Sequence, residues 1–503
     1  MSIFRSEEHK APDPILKKRW LNSLRKTRGA PAPKLRLLSL ANLRKYLWYC
    51  RLYGLRNATK LAFRRLEKPD IISNLEINPL SLPDLQRSSF EASLPIFDKK
   101  ISVVIPTWNA GGEFSLLLRK LKAQRGIREC EIIIVDSGSS DDTLRIAREE
   151  GVEIVEISLA NFDHGYSRNK GAERANGDYL LFTVQDALPL TDQWLWEMVG
   201  ALERNDLAAV SCAEYPRADC DLFYRLLIWN HYKTLNLDKD RFMAWDESCF
   251  SHMGLRSNGQ ISNIAALIRR DVFDKYKFKT KYAEDIDLGI RLIRDGHKIG
   301  FLYSTRVLHS HNRPPYYFLK RAYVDALFLV EVFPDYPLPA VDNQQRILKC
   351  IVSLYGRTNF IANLILSQKY PVPIGRLLDQ IRNLYMVDNG ETAERNQMLK
   401  DGQYEAIVQN LREQSGIQVS PFGFQDNILL PHLLNHFEQL RTYLTPTYEQ
   451  ADEKLARDLA IALCKMSALH SGTHLGYLYL TLASRGTLNP YVVELDKMLK
   501  AGV

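Results

Sequence analysis

Between residues 101 and 183 short apolar runs alternate with stretches of helical period. This alternation restricts the segment to an α/β arrangement of parallel strands joined by helices. Ile101–Pro106 (ISVVIP) predicts a buried strand, Glu113–Gln124 a helix, and Ile132–Asp136 a second strand followed by a turn at Ser137–Ser140. Asp141–Glu150 predicts a helix and Glu153–Ile157 a third strand; a helix beginning near Arg168 leads into a fourth, Tyr179–Thr183. Past Ser211 strands lose definition until Ile299–Leu308. After about Val332 the spacing is helical, over Asn343–Tyr355, Ile374–Tyr385, Ala393–Leu399, Tyr404–Glu413, Asn427–Tyr443, Tyr448–Met466 and Pro490–Leu499, with no repeat.

Length and charge divide the chain further. At 503 residues it exceeds one compact core, and 46% hydrophobic with 25% charged content describes a globular protein. Residues 1–70 hold 18 Lys/Arg against 5 Asp/Glu, whereas the whole chain is only +8. Leu43, Leu47, Trp48 and Leu52 form an apolar stripe among these charges. The stripe suits an amphipathic helix on an anionic membrane surface better than a nucleic acid, and packing on the neighbouring domain is the other reading. Residues 71–97, with Pro79, Pro83 and Pro95, read as a linker. The seven cysteines form no CxxC pair, no apolar leader opens the chain, and no run is long enough to span a bilayer. A cytoplasmic protein, peripheral on the membrane through residues 1–70, is the expectation.

Open parallel sheets bind ligands beyond the carboxyl ends of their strands, and four polar segments fall at such ends. Pro106, Thr107, Trp108 and Asn109 follow the first strand and offer hydrogen-bonding groups beside a flat ring. Asp136 and Ser137 end the second; Asp136 can accept from a pyrimidine N–H, while Ser140 or Asp141 can cap the next helix. Gln185 and Asp186 follow the fourth, where a carboxylate can hold a hard divalent cation against a diphosphate. Glu284 and Asp285 open a helix, where the macrodipole favours acids in any case and where either, Asp285 first, can serve as general base.

In this order the four segments resemble the family-2 glycosyltransferases, over about residues 99–325. The resemblance implies a GT-A fold: a Rossmann-like, mostly parallel sheet with helices on both faces, over residues 98–332. The basic helical segment 1–70 and a C-terminal α-helical domain, 333–503, flank it. It also implies an inverting displacement on a nucleotide-diphosphate sugar, with Mn²⁺ or Mg²⁺ as cofactor. Thr107, Trp108 and Asn109 would line the nucleoside pocket, Asp136 the base, and Arg168 the diphosphate. The usual DxD is reduced to Val184-Gln185-Asp186.

That departure, with Phe162-Asp163-His164-Gly165, Arg168-Asn169 and His309-Ser310-His311-Asn312, resembles the rhamnosyltransferase-like subgroup. It points to dTDP-rhamnose as donor, with UDP- or GDP-sugars as the alternative. His309 or His311 would join Asp186 on the metal, and Trp245, Asp246 and Asn263 fall where the family builds its acceptor pocket. The acceptor implied is a glycan or lipid-linked glycan of a surface polysaccharide. A nucleotidyltransferase would bring a Gly-rich basic loop after the first strand, which Pro106–Asn109 is not; an inactive scaffold would not need Asp186, Asp285 and Arg168 together. The C-terminal helices could mediate oligomerisation.

Overall fold

The computed structural model describes residues 96–333, 336, 343–386, 401–415 and 427–501. The segment 1–70, nearly all of the 71–97 linker and the expected helix Ala393–Leu399 lie outside them.

One sheet is built from β1 (Phe97–Thr107), β2 (Ile127–Asp136), β3 (Glu153–Glu156), β4 (Tyr179–Thr183), β5 (Leu188–Pro189), β6 (Ala209–Tyr215), β7 (Arg241–Met243), β8 (Ala265–Arg269) and β9 (Ile299–Leu308). Its order is β3-β2-β1-β4-β8-β6-β9-β5, with β7 also on β9. Strands β3, β2, β1 and β4 are parallel; β8 is antiparallel to both β4 and β6; β6 and β9 are parallel. Two reversals at β8 restore the original direction. The carboxyl ends of β1, β2, β4, β6 and β9 therefore share one edge with the amino end of β8.

Helices α1 (Phe114–Lys122), α2 (Thr143–Glu149), α3 (His164–Arg174), α4 (Trp194–Arg204), α5 (Leu222–Thr234), α6 (His252–Asn258), α7 (Arg270–Tyr276) and α8 (Glu284–Arg294) cover both faces. Val103, Ile105 and Ile134 pack with Leu117, Leu118 and Met198 on one face, and Val104, Ile133 and Val135 with Ala172, Phe273 and Leu288 on the other. Burial on both faces is why β1 reads as a continuous apolar run rather than an alternating one. Gly171 sets the approach of α3: a Cβ there would stand 2.3 Å from Val104 Cγ1.

The remaining helices are α9 (Pro315–Val332), α10 (Gln344–Ser367), α11 (Ile374–Met386), α12 (Gly402–Ser415), α13 (Leu430–Leu444), α14 (Glu453–Ser484) and α15 (Pro490–Lys500). Their core includes Phe318, Leu319 and Tyr323 of α9, Leu348 and Ile351 of α10 and Leu463 and Met466 of α14, and continues into Leu222, Phe223 and Leu226 of α5. At Gly472 the α14 backbone lies against α9, where a Cβ would meet the Leu319 carbonyl at 1.9 Å. Among the described residues no helix is long and apolar enough to cross a membrane.

Several element boundaries differ from expectation. The helix placed near Arg168 begins at His164, because Asp163 caps it by accepting from Tyr166 N at 2.6 Å. The expected helix Tyr448–Met466 begins at Glu453 and runs on to Ser484, and α10 continues to Ser367. Strand β8, unread in the sequence, is a fully enclosed antiparallel strand of five residues.

Candidate active site

The loops after β1 and β2 are knitted together. Asp136, buried at the end of β2, accepts from Thr107 Oγ1 (2.9 Å), Gly138 N (3.0 Å), Ser139 N (2.8 Å) and Ser139 Oγ (2.5 Å). These four donors use the lone pairs a carboxylate offers, so a base N–H would have to replace a hydroxyl. Ser137 bonds the Thr107 carbonyl through both N and Oγ. Asn109 stands at φ +49°, a left-handed conformation Asn tolerates, and its Oδ1 accepts from Ser140 N at 2.8 Å. Asp141 Oδ1 accepts from Thr143 N at 3.0 Å and satisfies the first N–H of α2. Gln185 grips the backbone of Trp108, accepting from its N (2.8 Å) and donating to its O (3.3 Å). Trp108 is 45% exposed at the sheet edge.

Beyond β4, Asp186 meets the residues that follow β9. Its Oδ1 lies 3.6 Å from His309 Nε2 and its Oδ2 3.7 Å from His311 Nδ1. Among the described residues these three form the one group of potential metal ligands whose atoms all lie within 4.8 Å of one another. Glu214, at the end of β6, bonds His309 Nδ1 at 2.6 Å. That partner makes Nδ1 the protonated nitrogen and leaves the Nε2 lone pair toward Asp186, an arrangement suited to ligation. Burial lowers the His309 pKa, but the Glu214 hydrogen bond and charge outweigh it and the net shift is upward. His311 is pushed down to about 4 by burial and by His309 beside it. The chemistry of this donor set, one carboxylate and two imidazoles, fits a divalent cation of the Mn²⁺ kind.

Glu214 and Arg217 went unread in the sequence. Arg217 donates to the Asp186 carbonyl (2.9 Å) and pairs with Glu113 (2.7 Å). Glu214 stands at a strand end, the signal that marked Asp136, but nothing in the sequence reveals which histidine it meets. A polar chain continues outward: Tyr224 Oη donates to Glu214 (3.2 Å), Tyr224 N to Asp221 (3.0 Å), and Asp221 pairs with the buried Lys465 of α14 at 2.6 Å.

A third cluster lies at the start of α8. Glu284 and Arg168 are both buried and paired at 2.9 Å, and Glu284 also accepts from Asn263 Nδ2 at 2.9 Å. Arg168 Nη1 donates to the His164 carbonyl as well; its Nε, buried, has no partner among the described residues. Asp285 is only partly buried and accepts two backbone N–H groups, from Asn263 (3.0 Å) and Ile286 (2.9 Å). Burial and the charge of Glu284 push its carboxyl up to about 6, against the pull of those donors and of Arg168. Ala283, just before the helix, is held at φ +52°.

Topology brings the clusters to one edge. Thr183 pairs with Ala265, so Asp186 lies three residues past the end of β4 and Asn263, which binds Asp285, two before the start of β8. Asn263 thus joins the acids of α8. Asp246 is occupied with a short turn: its Oδ1 accepts from Ser248 N (2.9 Å) and Asn258 Nδ2 (3.1 Å). Trp245 is 37% exposed and edge-on to Phe250.

Residues 102–276 match the family described as Glycosyl transferase family 2. The chain is 30% identical over 219 residues to the O-antigen chain rhamnosyltransferase WbaN of Salmonella anatum, covering 42% of this chain and 67% of that protein. The chain belongs to glycosyl transferase family 2. It is a glycosyltransferase with the GT-A fold, in the rhamnosyltransferase-like part of the family. The O-antigen chain rhamnosyltransferase RfbN of Salmonella typhimurium is 28% identical over 221 residues, 43% of this chain and 68% of that one. Among solved structures, the mannosyltransferase PcManGT from Pyrobaculum calidifontis in complex with GDP-Man and Mn²⁺ is similar at a TM-score of 0.37 and 16% identity, covering 86% of this chain and 98% of that chain.

Proposed function

We propose that this family-2 enzyme transfers L-rhamnose from dTDP-rhamnose, with inversion, to a glycan or lipid-linked glycan acceptor in surface polysaccharide synthesis. The observation that carries the reading is Asp186 opposed by two imidazoles at the edge where α8 presents Asp285. The relatives named rhamnosyltransferases support the sugar.

Asp186, His309 and His311 would hold Mn²⁺ or Mg²⁺, which when bound neutralises charge on a diphosphate leaving group. The exposed Trp108 ring stacks the base, with Thr107, Asn109 and Asp136 around it. Arg168 Nε, which has no partner among the described residues, is a donor for an anionic group. Asp285 takes the proton from the acceptor hydroxyl as it attacks the anomeric carbon from the face opposite the diphosphate. A carboxyl raised toward neutrality is a stronger base than an ordinary one and is still ionised at pH 7.5. Glu284, locked between Arg168 and Asn263, positions this helix start. Trp245 and Asn263 stay on the acceptor side of the proposal, and Asp246 shapes the turn that carries Trp245.

The test is donor consumption by the full chain against dTDP-, UDP- and GDP-sugars, with Mn²⁺, Mg²⁺ or EDTA. Consumption of dTDP-rhamnose that EDTA abolishes is expected; preference for another donor overturns the sugar, and full activity in EDTA overturns the metal. Asp186→Ala is expected to weaken Mn²⁺ binding by about 100-fold or more by calorimetry. Attachment of residues 1–70 to an anionic membrane is tested by liposome flotation of the full chain and of a chain lacking them. Self-association through 333–503 is tested by sedimentation.

A further inference from the structure

Helices α13 and α14 face each other with two histidines apiece, each pair one turn apart: His432 and His436 on α13, His470 and His474 on α14. Ring centres lie 5.3 Å apart for His432 and His474, 5.5 Å for His436 and His470, and 6.3 Å for His432 and His470. Imidazole nitrogens about 2.1 Å from a tetrahedral ion put ring centres about 5 Å apart, close to the two shorter of these three cross-helix separations.

The hydrogen bonding points the same way. Nε2 of His436 and Nε2 of His470 are buried without a partner among the described residues, and His436 is itself only 7% exposed. Orphaned buried polar atoms each cost about 1–3 kcal/mol, and two within one cluster call for an occupant. His474 Nδ1 lies 2.8 Å from the His470 carbonyl, which can only accept, so Nδ1 carries the proton and Nε2 keeps its lone pair. Burial holds His436 and His474 down at about 4, and burial with the neighbouring imidazoles holds His470 well below the ordinary histidine value. All three are neutral at pH 7, the form that binds metal.

We propose that His432, His436, His470 and His474 bind one first-row transition ion of the Zn²⁺ class and pin α13 to α14. An all-imidazole donor set selects Zn²⁺, Co²⁺ or Ni²⁺ over the hard ions suited to a carboxylate. Two cross-helix ring pairs stand near ligating separation, and because no three of these histidines bring ligand atoms within 4.8 Å of one another as the helices stand, ion binding draws the four rings inward. The site owes nothing to the rhamnosyltransferase reading and stands if that reading falls.

The experiment titrates the full chain carrying Asp186→Ala, which silences the sheet-edge site, with Co²⁺ and follows the visible d–d bands. One equivalent giving intense tetrahedral bands, bleached by Zn²⁺ but untouched by excess Mn²⁺, is expected. Adding the exposed-position change His432→Ala, which leaves the core intact, should weaken Zn²⁺ by about tenfold or more, and His436→Ala should raise no bands at all. Weak octahedral bands, no saturation at one equivalent, or Zn²⁺ affinity unchanged by His432→Ala would overturn the proposal.

Discussion

The sheet edge and the helical region bury polar groups in opposite ways. At the edge nearly every acid is answered: Asp136 by four donors, Glu284 by Arg168 and Asn263, Glu214 by His309. What is left open there, the Asp186 carboxylate between two imidazoles, is a third exposed (33%) and surrounded by fixed partners. Between α13 and α14 His436 and His474 are buried, and two ring nitrogens, Nε2 of His436 and of His470, have no hydrogen-bond partner among the described residues. The contrast separates a site whose shell is complete before any ligand arrives from one whose shell an ion would complete. One polar chain, Lys465–Asp221–Tyr224–Glu214, connects the two regions.

That connection gives the largest expected effect. Lys465 is buried against the Phe318 ring, and Lys465→Met leaves the Asp221 carboxylate uncompensated. Because Asp221 keeps some solvent contact, the loss should be about 3 kcal/mol, at the low end for a broken buried pair, read by urea unfolding. A loss near zero would mean the helical region contributes no electrostatic tie to the sheet edge. Next comes Glu214→Gln, which keeps the shape but weakens the grip on His309: Mn²⁺ affinity should fall by about tenfold by calorimetry, with the fold unchanged by circular dichroism. Unchanged affinity would detach Glu214 from the metal. The smallest effect belongs to Ala283→Gly. Relief of the left-handed backbone should raise stability by about 1 kcal/mol or less, seen as a higher Tm. A lower Tm would place the strain elsewhere.

Much of the sheet edge is legible in the sequence because strand ends in parallel sheets combine apolar runs with short polar turns. Asp136, Asp186 and the His309–His311 pair all announce themselves this way. Strand β8 does not: AALIR is short and passes directly into a helix at Arg270, leaving the Ser262–Asn263 turn as its boundary signal, yet its antiparallel insertion brings Asn263 to Asp285. Helix α14 is read short for a related reason. Ser467, Ser471, Gly472 and Gly476 look like breaks, but the two glycines let α9 settle against the α14 backbone and both serine hydroxyls meet Tyr404 Oη of α12. The spacing of each histidine pair is visible along the chain; their opposition depends on how α13 and α14 meet, which spacing cannot supply.

The central claim is that one edge of the sheet holds a donor on Asp186 and removes a proton with Asp285. Its most direct measurement is the pH dependence of dTDP-rhamnose consumption under saturating Mn²⁺ for the parent chain and for Asp285→Asn, with donor affinity determined in parallel. A base must be deprotonated to work, so the parent's rate should climb with pH through about 6, the range to which the Asp285 carboxyl is raised. The variant should bind donor as tightly, turn over about 100-fold more slowly, and lose that acid limb. A variant that retains the parent's rate and pH profile would contradict the account.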